Sequence, residues 1–292
     1  MDISIRIGGA AGQGIQTISS IIARTMVHHD FYVFVNQDFE SRIRGGHNFD
    51  QVRISNTPVR AAAGQVHILI ALDEVTTGQD IDCLAENGVL LFDGETCGFK
   101  SDNPNHLSVP FNRIAAEAGK SKIMINAVAT GAATALLDFK LQPVLDCIQE
   151  QFEQKGAGMI EKNQKSAAAG YDFVRQNLKA GPPFRVPSAK AVRRKMLLTG
   201  SQAMALGAMA SGLKFYSGYP MSPATTIMEF VSTQADTYNI VLEQAEDEIA
   251  AINMVIGASF AGARAMTATS GGGFCLMVEA LSLAGMTETP VV

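Results

Sequence analysis

The order of hydrophobic and polar positions predicts a chain in which strands and helices alternate. Apolar residues recur at helical spacing after residue 14, so that Ile15, Ile18 and Ile22 share one face. Other apolar runs are short and nearly continuous, as expected of strands buried on both faces of a sheet. The strands predicted up to residue 126 are 3–7, 31–35, 52–55, 67–73, 89–93 and 122–126. The helices predicted up to residue 178 are 15–27, 127–137, 144–154 and 161–178.

A change in composition divides the chain. Residues 179–195 contain three prolines and six basic residues, a composition typical of a linker because proline blocks helix and removes a backbone donor. Beyond it, helices are predicted at 200–211, 224–234 and 246–260, and strands at 214–217, 240–243 and 264–269. The predicted fold is therefore two open, mostly parallel α/β units, at 1–178 and 196–292. The apolar end at 290–292 resembles the start of another strand, so we expect a piece of a longer polypeptide.

Composition and charge exclude several classes of protein. Hydrophobic residues make up 47% of the chain and the net charge is −5, which gives no electrostatic support for nucleic-acid binding. Apolar runs fall short of the ~20 residues that a membrane span needs, and the start of the chain lacks a signal-peptide pattern. We therefore expect a cytoplasmic protein. The four cysteines are scattered without a CxxC pair, so we expect no metal or iron–sulfur cluster on this chain.

A glycine-rich turn follows the first predicted strand. Its glycines, Gly9, Gly12 and Gly14, do not have the G-x-G-x-x-G spacing of a dinucleotide site, and no Gly-Lys-Ser/Thr follows as in a phosphate loop. Two interpretations stay open: a tight turn alone, or an anionic ligand bound by backbone N–H groups. Arg42 and Arg44 lie in a second glycine-bearing loop that suits a phosphate or the carboxylates of a partner.

Several motifs in order resemble one family. Gly9-Ala-Ala-Gly-Gln-Gly14 and Arg44-Gly-Gly46 resemble the gamma unit of 2-oxoacid:ferredoxin oxidoreductases. The segments 218–223 (Gly-Tyr-Pro-Met-Ser-Pro), 246–251 (Glu-Asp-Glu-Ile-Ala-Ala) and 267–272 (Thr-Ala-Thr-Ser-Gly-Gly) resemble the pyrimidine-binding domain of the alpha unit. Their order resembles the fused gamma–alpha subunits of this family, here reaching only part of the pyrimidine-binding domain.

The resemblance implies a site for thiamine diphosphate. In that family a carboxylate beside the pyrimidine ring promotes loss of the thiazolium proton, a case of positioned acid–base catalysis. Glu248 matches the family's acidic position and is our catalytic candidate, with Glu246 and Asp247 as rivals. Read from the residues alone, all three acids simply favour a helix N-terminus electrostatically. The turn predicted to border the cofactor consists of Thr269, Ser270 and Gly271.

The resemblance also implies a substrate site at the Tyr-Pro turn. Tyr219, Pro220 and Ser222 would face the carboxylate of a 2-oxoacid. Met221 and Ser222 replace the usual isoleucine and threonine, which keeps the hydroxyl and changes the shape of the pocket. From the residues alone, Ser222 is also predicted to cap the following helix, with Pro223 at its first position.

The resemblance also implies partner subunits and co-substrates, because this chain lacks the motif with which thiamine enzymes bind the diphosphate and magnesium. The chain has no Gly-Asp-Gly followed by a distant Asn, so a beta subunit is expected to carry the diphosphate-binding domain, Mg²⁺ and the [4Fe-4S] cluster. The resemblance further implies coenzyme A as the acyl acceptor and ferredoxin as the electron acceptor, in a dimer of heterodimers. The first unit could bind coenzyme A or dock partners. Two alternative functions remain, a non-catalytic interaction module and an NAD-dependent dehydrogenase. Within the oxidoreductase interpretation, analogy with other fused gamma–alpha subunits favours 2-oxoglutarate as the substrate.

Overall fold

The computed structural model describes residues 1–38, 45–178, 181–187 and 195–292. The chain divides into two compact units, the N-terminal unit Met1–Leu197 and the C-terminal unit Leu198–Val292. Over the described ranges, no helix combines the length and the apolar character that crossing a bilayer would require.

The N-terminal unit is built on one mixed sheet covered by helices. Its strands are β1 (Asp2–Ala11), β2 (Tyr32–Asp38), β3 (Gly45–Ser55), β4 (Val66–Ala71), β5 (Leu84–Phe92) and β6 (His106–Ser108). Its helices are α1 (Ile15–His28), α2 (Glu74–Asp80), α3 (Phe111–Gly119), α4 (Ile125–Leu136), α5 (Gln142–Phe152) and α6 (Ala157–Asn177). The predicted helical face of α1 is confirmed, because Ile15, Ile18 and Ile22 are all buried.

The strand order of this sheet is β2-β3-β1-β4-β5-β6. Pairing is parallel for β1–β4, β4–β5 and β5–β6, and antiparallel where β3 lies between β1 and β2. The central strands are apolar on both faces, since Ile68, Leu69 and Ile70 are fully buried in succession. The short strand predicted at 52–55 is the end of the longer strand β3. The first half of β3 is polar and therefore lacks the apolar pattern by which a strand is predicted.

The strand predicted at 122–126 is wrong. Lys122–Met124 forms a 3₁₀ turn, and α4 begins at Ile125. Ser121 starts the turn by accepting a hydrogen bond from the backbone N–H of Ile123, whose side chain is 77% exposed. A short apolar run fits a strand and a helix equally well by periodicity, and only burial distinguishes them.

Helices α4 and α6 pack unusually close together, and two glycines permit it. A Cβ added at Gly131 would lie 1.8 Å from the carbonyl oxygen of Ala167. A Cβ added at Gly170 would lie 2.2 Å from the carbonyl oxygen of Val128. Each helix therefore presents a glycine to the backbone of the other, and any side chain at either position would force the helices apart.

The C-terminal unit contains a second, fully parallel sheet. Its helices are α7 (Gly200–Ala210), α8 (Thr225–Tyr238), α9 (Glu248–Phe260) and α10 (Gly273–Met286), and its strands are β7 (Phe215–Gly218), β8 (Val241–Gln244) and β9 (Ala265–Met266). The strand order is β8-β7-β9. Parallel pairings therefore predominate over the two sheets, which confirms the predicted fold class. The carboxyl ends of these three strands lead into the turns discussed below.

The ring of Tyr216, on β7, lies in the core of this unit at 1% exposure. Burial raises the pKa of Tyr216 to about 12. The unfolded chain therefore loses this phenolic proton near pH ~10 while the folded chain keeps it, and the free energy of unfolding falls as the pH rises through that window. Between neutral pH and pH ~11, we expect the free energy of unfolding of Tyr216→Phe to fall by about 1.4 kcal/mol less than that of the unsubstituted protein. Denaturant unfolding at the two pH values measures this difference.

Tyr238 provides the matched control, because its ring is 49% exposed. Tyr238→Phe should leave the alkaline loss of stability as it is in the unsubstituted protein. Identical pH dependence for Tyr216→Phe and the unsubstituted protein would contradict the assignment.

Candidate active site

The three acidic residues at the start of α9 differ in burial and in hydrogen bonding. Asp247 is the N-cap, and its carboxylate accepts a hydrogen bond of 2.7 Å from the backbone N–H of Ala250. Glu246 is exposed, whereas Glu248 is 4% exposed although it is the first residue of the helix. The helix therefore begins at Glu248 and not at Glu246 as predicted, because Asp247 is the residue that caps it.

The carboxylate of Glu248 carries an unusual feature. Its Oε1 atom is buried and has no hydrogen-bond partner within the described part of the chain. A buried carboxylate oxygen without a partner is unfavourable, and a ligand that donates a hydrogen bond to it would remove that cost. This oxygen is therefore the best candidate in this unit for contact with a ligand.

The turn before α10 lies directly against Glu248. A Cβ added at Gly273 would lie 2.6 Å from Glu248 Oε1 and 2.1 Å from Thr269 Oγ1. Thr269 Oγ1 is also buried without a hydrogen-bond partner among the described residues. Gly271 has a φ of 55°, a conformation that favours glycine. The lack of a side chain at Gly273 lets both polar oxygens pack closely against the start of α10.

The Tyr-Pro turn is joined to the same edge of the sheet. The hydroxyl of Ser270 donates a hydrogen bond of 2.6 Å to the carbonyl oxygen of Ser222. The carbonyl oxygen of Gly218 accepts a hydrogen bond of 3.0 Å from the backbone N–H of Ala245, which ties the ends of β7 and β8 together. The predicted residues of the C-terminal unit are thus gathered at the carboxyl edge of its sheet. Tyr219 is 38% exposed there, and Pro220 is half-buried.

The predicted helix cap at Ser222 is wrong. Helix α8 begins at Thr225, its N-cap is Ala224, and no side chain caps it. Pro223 lies two residues before the helix and is not its first residue. The Ser222–Pro223 peptide bond is cis. The Ser222 carbonyl is instead held by Ser270, a contact between positions far apart in the chain.

The glycine turn of the N-terminal unit lines a separate cavity of about 310 Å³. Gly12 and Gly14 both have positive φ, and Gly14 is the N-cap of α1. The cavity is also lined by Asp38 and Asp50, and Asp50 accepts hydrogen bonds from Ser19 and Gln37. The glycine turn thus shares the cavity with two carboxylates, which the sequence pattern did not reveal.

Gly9 has a packing role in this turn. A Cβ there would lie 2.4 Å from Oε1 of Gln13, the atom that accepts a hydrogen bond from the backbone N–H of Ala10. The predicted ligands Arg42 and Arg44 lie outside the described residues.

Asp73 and Asp93 follow β4 and β5 and line another cavity of about 310 Å³. It lies at the carboxyl edge of the N-terminal sheet, the edge where open parallel sheets bind ligands. Each carboxylate also has a structural role. Asp73 caps α2 by accepting from the backbone N–H of Thr76, and Asp93 accepts from the side chain and the backbone of Asn112. Local hydrogen bonds therefore account for both acids.

The C-terminal unit, taken by itself, has the construction of a cofactor-binding α/β protein: a parallel sheet whose carboxyl edge gathers an unpartnered carboxylate and two glycine- or proline-bearing turns. Residues 4–173 match the family model described as pyruvate ferredoxin/flavodoxin oxidoreductase. Residues 206–292 match the thiamine diphosphate-binding model of the same enzymes. The chain belongs to the pyruvate ferredoxin/flavodoxin oxidoreductase family.

Individual relatives agree with this assignment. A 2-oxoacid:ferredoxin oxidoreductase subunit alpha from Sulfolobus sp is 32% identical over 349 aligned positions, covering 100% of this chain and 54% of the relative. The solved 2-oxoglutarate:ferredoxin oxidoreductase from Magnetococcus marinus, with 2-oxoglutarate, coenzyme A and succinyl-CoA bound, is 31% identical with a TM-score of 0.87. That comparison covers 99% of this chain and 51% of the solved chain. The chain thus spans about half the length of these relatives.

The N-terminal unit has a relative of its own. The gamma subunit of a keto/oxoacid ferredoxin oxidoreductase from Geobacter sulfurreducens is 25% identical, with a TM-score of 0.52, over 59% of this chain and 95% of that one. The order of a gamma-like and an alpha-like unit is therefore supported. These relatives favour the oxidoreductase interpretation over the NAD-dependent dehydrogenase and the interaction module.

Proposed function

We propose that the chain is part of a 2-oxoacid:ferredoxin oxidoreductase, in which the C-terminal unit forms the pyrimidine side of a thiamine diphosphate site. The reaction is the oxidative decarboxylation of a 2-oxoacid to an acyl-CoA, with electrons passed to ferredoxin. The observation that carries the proposal is the buried Oε1 of Glu248, which lacks a partner among the described residues. A donor on the ligand would satisfy it.

The surroundings of Glu248 suit the aminopyrimidine ring of this cofactor. The ring is flat and carries polar nitrogen atoms, so it requires a carboxylate at its edge and little side-chain bulk nearby. Gly273 removes that bulk beside Glu248, and Thr269 offers a second polar oxygen. Thr269, Ser270 and Gly271 are therefore proposed to border the cofactor.

When bound, thiamine diphosphate would supply the nucleophilic carbon that adds to the 2-oxo group. The role proposed for Glu248 is to share a proton, at its Oε1 atom, with a ring nitrogen. Burial strengthens this contact, because electrostatic interactions are less screened away from water. Asp247 keeps the helix start in place as the N-cap and is not proposed to touch the ligand.

The Tyr-Pro turn is proposed to face the substrate. Tyr219, Pro220 and Ser222 stand at the sheet edge beside the turn that borders the cofactor, since Ser270 joins the two turns directly. The hydroxyl of Ser222 and free backbone N–H groups would bind the substrate carboxylate. We propose 2-oxoglutarate as the substrate, because the solved relative from Magnetococcus marinus acts on it.

Other components of the reaction are proposed to come from elsewhere. A beta subunit would carry the diphosphate-binding domain, Mg²⁺ and the [4Fe-4S] cluster, in a dimer of heterodimers. The N-terminal unit would bind coenzyme A or dock partners through Gly9, Gly12 and Gly14, with Arg42 and Arg44 as further candidates. The carboxylates of Asp38 and Asp50 in the same cavity favour donors such as hydroxyl or amide groups over a bare phosphate.

The test is an activity assay of the full-length subunit purified together with its beta partner. We expect reduction of a viologen dye that requires a 2-oxoacid, coenzyme A and thiamine diphosphate together, and that is faster with 2-oxoglutarate than with pyruvate. Dye reduction that is independent of coenzyme A, or absent with every 2-oxoacid tried, would refute the proposal.

A further inference from the structure

Three potential metal-ligating side chains meet where α1 packs against α5 in the N-terminal unit. His28 is the last residue of α1, and Cys147 and Glu150 lie one turn apart on α5. One ligand atom from each, an imidazole nitrogen, a sulfur and a carboxylate oxygen, lies within 4.8 Å of the other two. Across the described ranges, this is the one such convergence of three histidine, cysteine or acidic side chains.

The distances fit a tetrahedral zinc ion. Nδ1 of His28 lies 3.6 Å from Sγ of Cys147. Zinc bonds of ~2.3 Å to sulfur and ~2.05 Å to nitrogen, at a tetrahedral angle, require a nitrogen–sulfur separation of about 3.6 Å. The pair is therefore already at the spacing that coordination demands. The side chain of Glu150 is exposed, so a change of rotamer can bring its carboxylate closer.

The electrostatic surroundings also favour a cation. His28 ends α1, and Glu150 lies in the last turn of α5, so both helices direct the negative ends of their dipoles towards the cluster. Cys147 is 5% exposed, which shields a bound ion from water on one side. An imidazole, a thiolate and a carboxylate together form a ligand set typical of zinc.

The scattered cysteines predicted no metal on this chain, but the folded chain places a histidine and a glutamate next to one of those cysteines. We propose that His28, Cys147 and Glu150 bind a zinc ion, with a water molecule as the fourth ligand. The ion would fasten the end of α1 to α5. Because α1 begins at the glycine turn, the metal would hold the far end of the helix that lines the cavity at Gly12 and Gly14. This metal site is separate from the Glu248 site and does not depend on the reaction proposed above.

The test measures metal binding to the purified protein after treatment with a chelator. We expect one zinc ion bound at the cluster, and a rise of about 5–10 °C in the unfolding temperature of the N-terminal unit at a zinc concentration ~100-fold above the dissociation constant. Co²⁺ bound in place of zinc should give a sulfur-to-metal charge-transfer absorption in the near ultraviolet, because Cys147 supplies a thiolate.

Single substitutions identify the ligands. Cys147→Ser and His28→Gln should each weaken zinc binding by more than about 100-fold, since loss of a group that only hydrogen-bonds to a metal ligand already costs about 10–100-fold. Glu150→Gln should weaken it as well, whereas the matched controls Cys83→Ser and Glu153→Gln should not. Circular dichroism without metal checks that each variant folds.

Two results would overturn the proposal. One is unchanged zinc affinity in folded Cys147→Ser or His28→Gln, which would mean that the three side chains only pack together. The other is a Co²⁺ complex without the charge-transfer absorption, which would exclude thiolate ligation.

Discussion

Glu248→Gln is expected to lower 2-oxoacid oxidation by about 10²–10⁴-fold, the range that a positioned acid–base group contributes. Glutamine keeps the length and planar shape of the side chain but cannot exchange a proton at this position. The buried Oε1 that lacks a partner among the described residues makes the carboxylate costly to the folded chain. The same substitution should therefore raise the free energy of unfolding of the ligand-free protein while it removes activity.

Glu246→Gln is the matched control, because Glu246 lies two residues away in the same segment and is exposed. It should leave both the rate and the stability close to those of the unsubstituted enzyme. Steady-state assays with 2-oxoglutarate and viologen, together with denaturant unfolding, make both measurements. Full activity in Glu248→Gln, or equal losses in the two variants, would contradict the role assigned to Glu248.

Gly131→Ala is expected to destabilise the N-terminal unit by about 3 kcal/mol, the upper end of what overpacking usually costs. The new Cβ would lie 1.8 Å from a backbone carbonyl of α6, which cannot change rotamer to avoid it. The two helices must separate, and the apolar contacts between them are lost in part. The free energy of unfolding, measured with urea, tests this prediction.

Gly158→Ala is the control for that experiment. Gly158 lies on α6 itself, and a Cβ there would meet nothing within 4 Å. Alanine favours helix over glycine, but Gly158 is the second residue of α6, so this variant should gain less than the ~0.5–1 kcal/mol of an interior position and should not lose stability. Gly170→Ala should behave like Gly131→Ala, and the double variant should lose less than the sum, because one separation of the helices relieves both contacts. Equal effects at Gly131 and Gly158 would refute the close-packing explanation.

Much of the fold could be read from the sequence because its signals are local. Apolar runs such as 67–73 bury both faces of a strand, and the spacing of Ile15, Ile18 and Ile22 defines the buried face of a helix. The antiparallel β3 was largely missed, because its first half carries polar residues whose burial depends on neighbouring strands. The segment 122–126 was misassigned for the related reason that a five-residue run contains too little periodicity to separate helix from strand.

In the candidate site, too, some features could be predicted from the sequence and others depend on the fold. Glu248 could be proposed from its motif, but the acids at 246, 247 and 248 differ only in burial and capping, which the folded helix start decides. The sequence did not single out Gly273. Its close approach to Glu248 and Thr269 depends on how the start of α10 meets α9. No local pattern encodes the hydrogen bond between Ser270 and the Ser222 carbonyl.

The sequence by itself determined the alternation of strands and helices and the short list of acids and turns. These depend on residue type and on spacing over a few positions. The tertiary structure alone decided which carboxylate is buried and lacks a partner among the described residues. It also decided that His28 meets Cys147, a residue 119 positions away. Such contacts arise because the packing of apolar helix and sheet faces fixes where polar side chains meet. The spacing of residues along the chain does not predict these contacts.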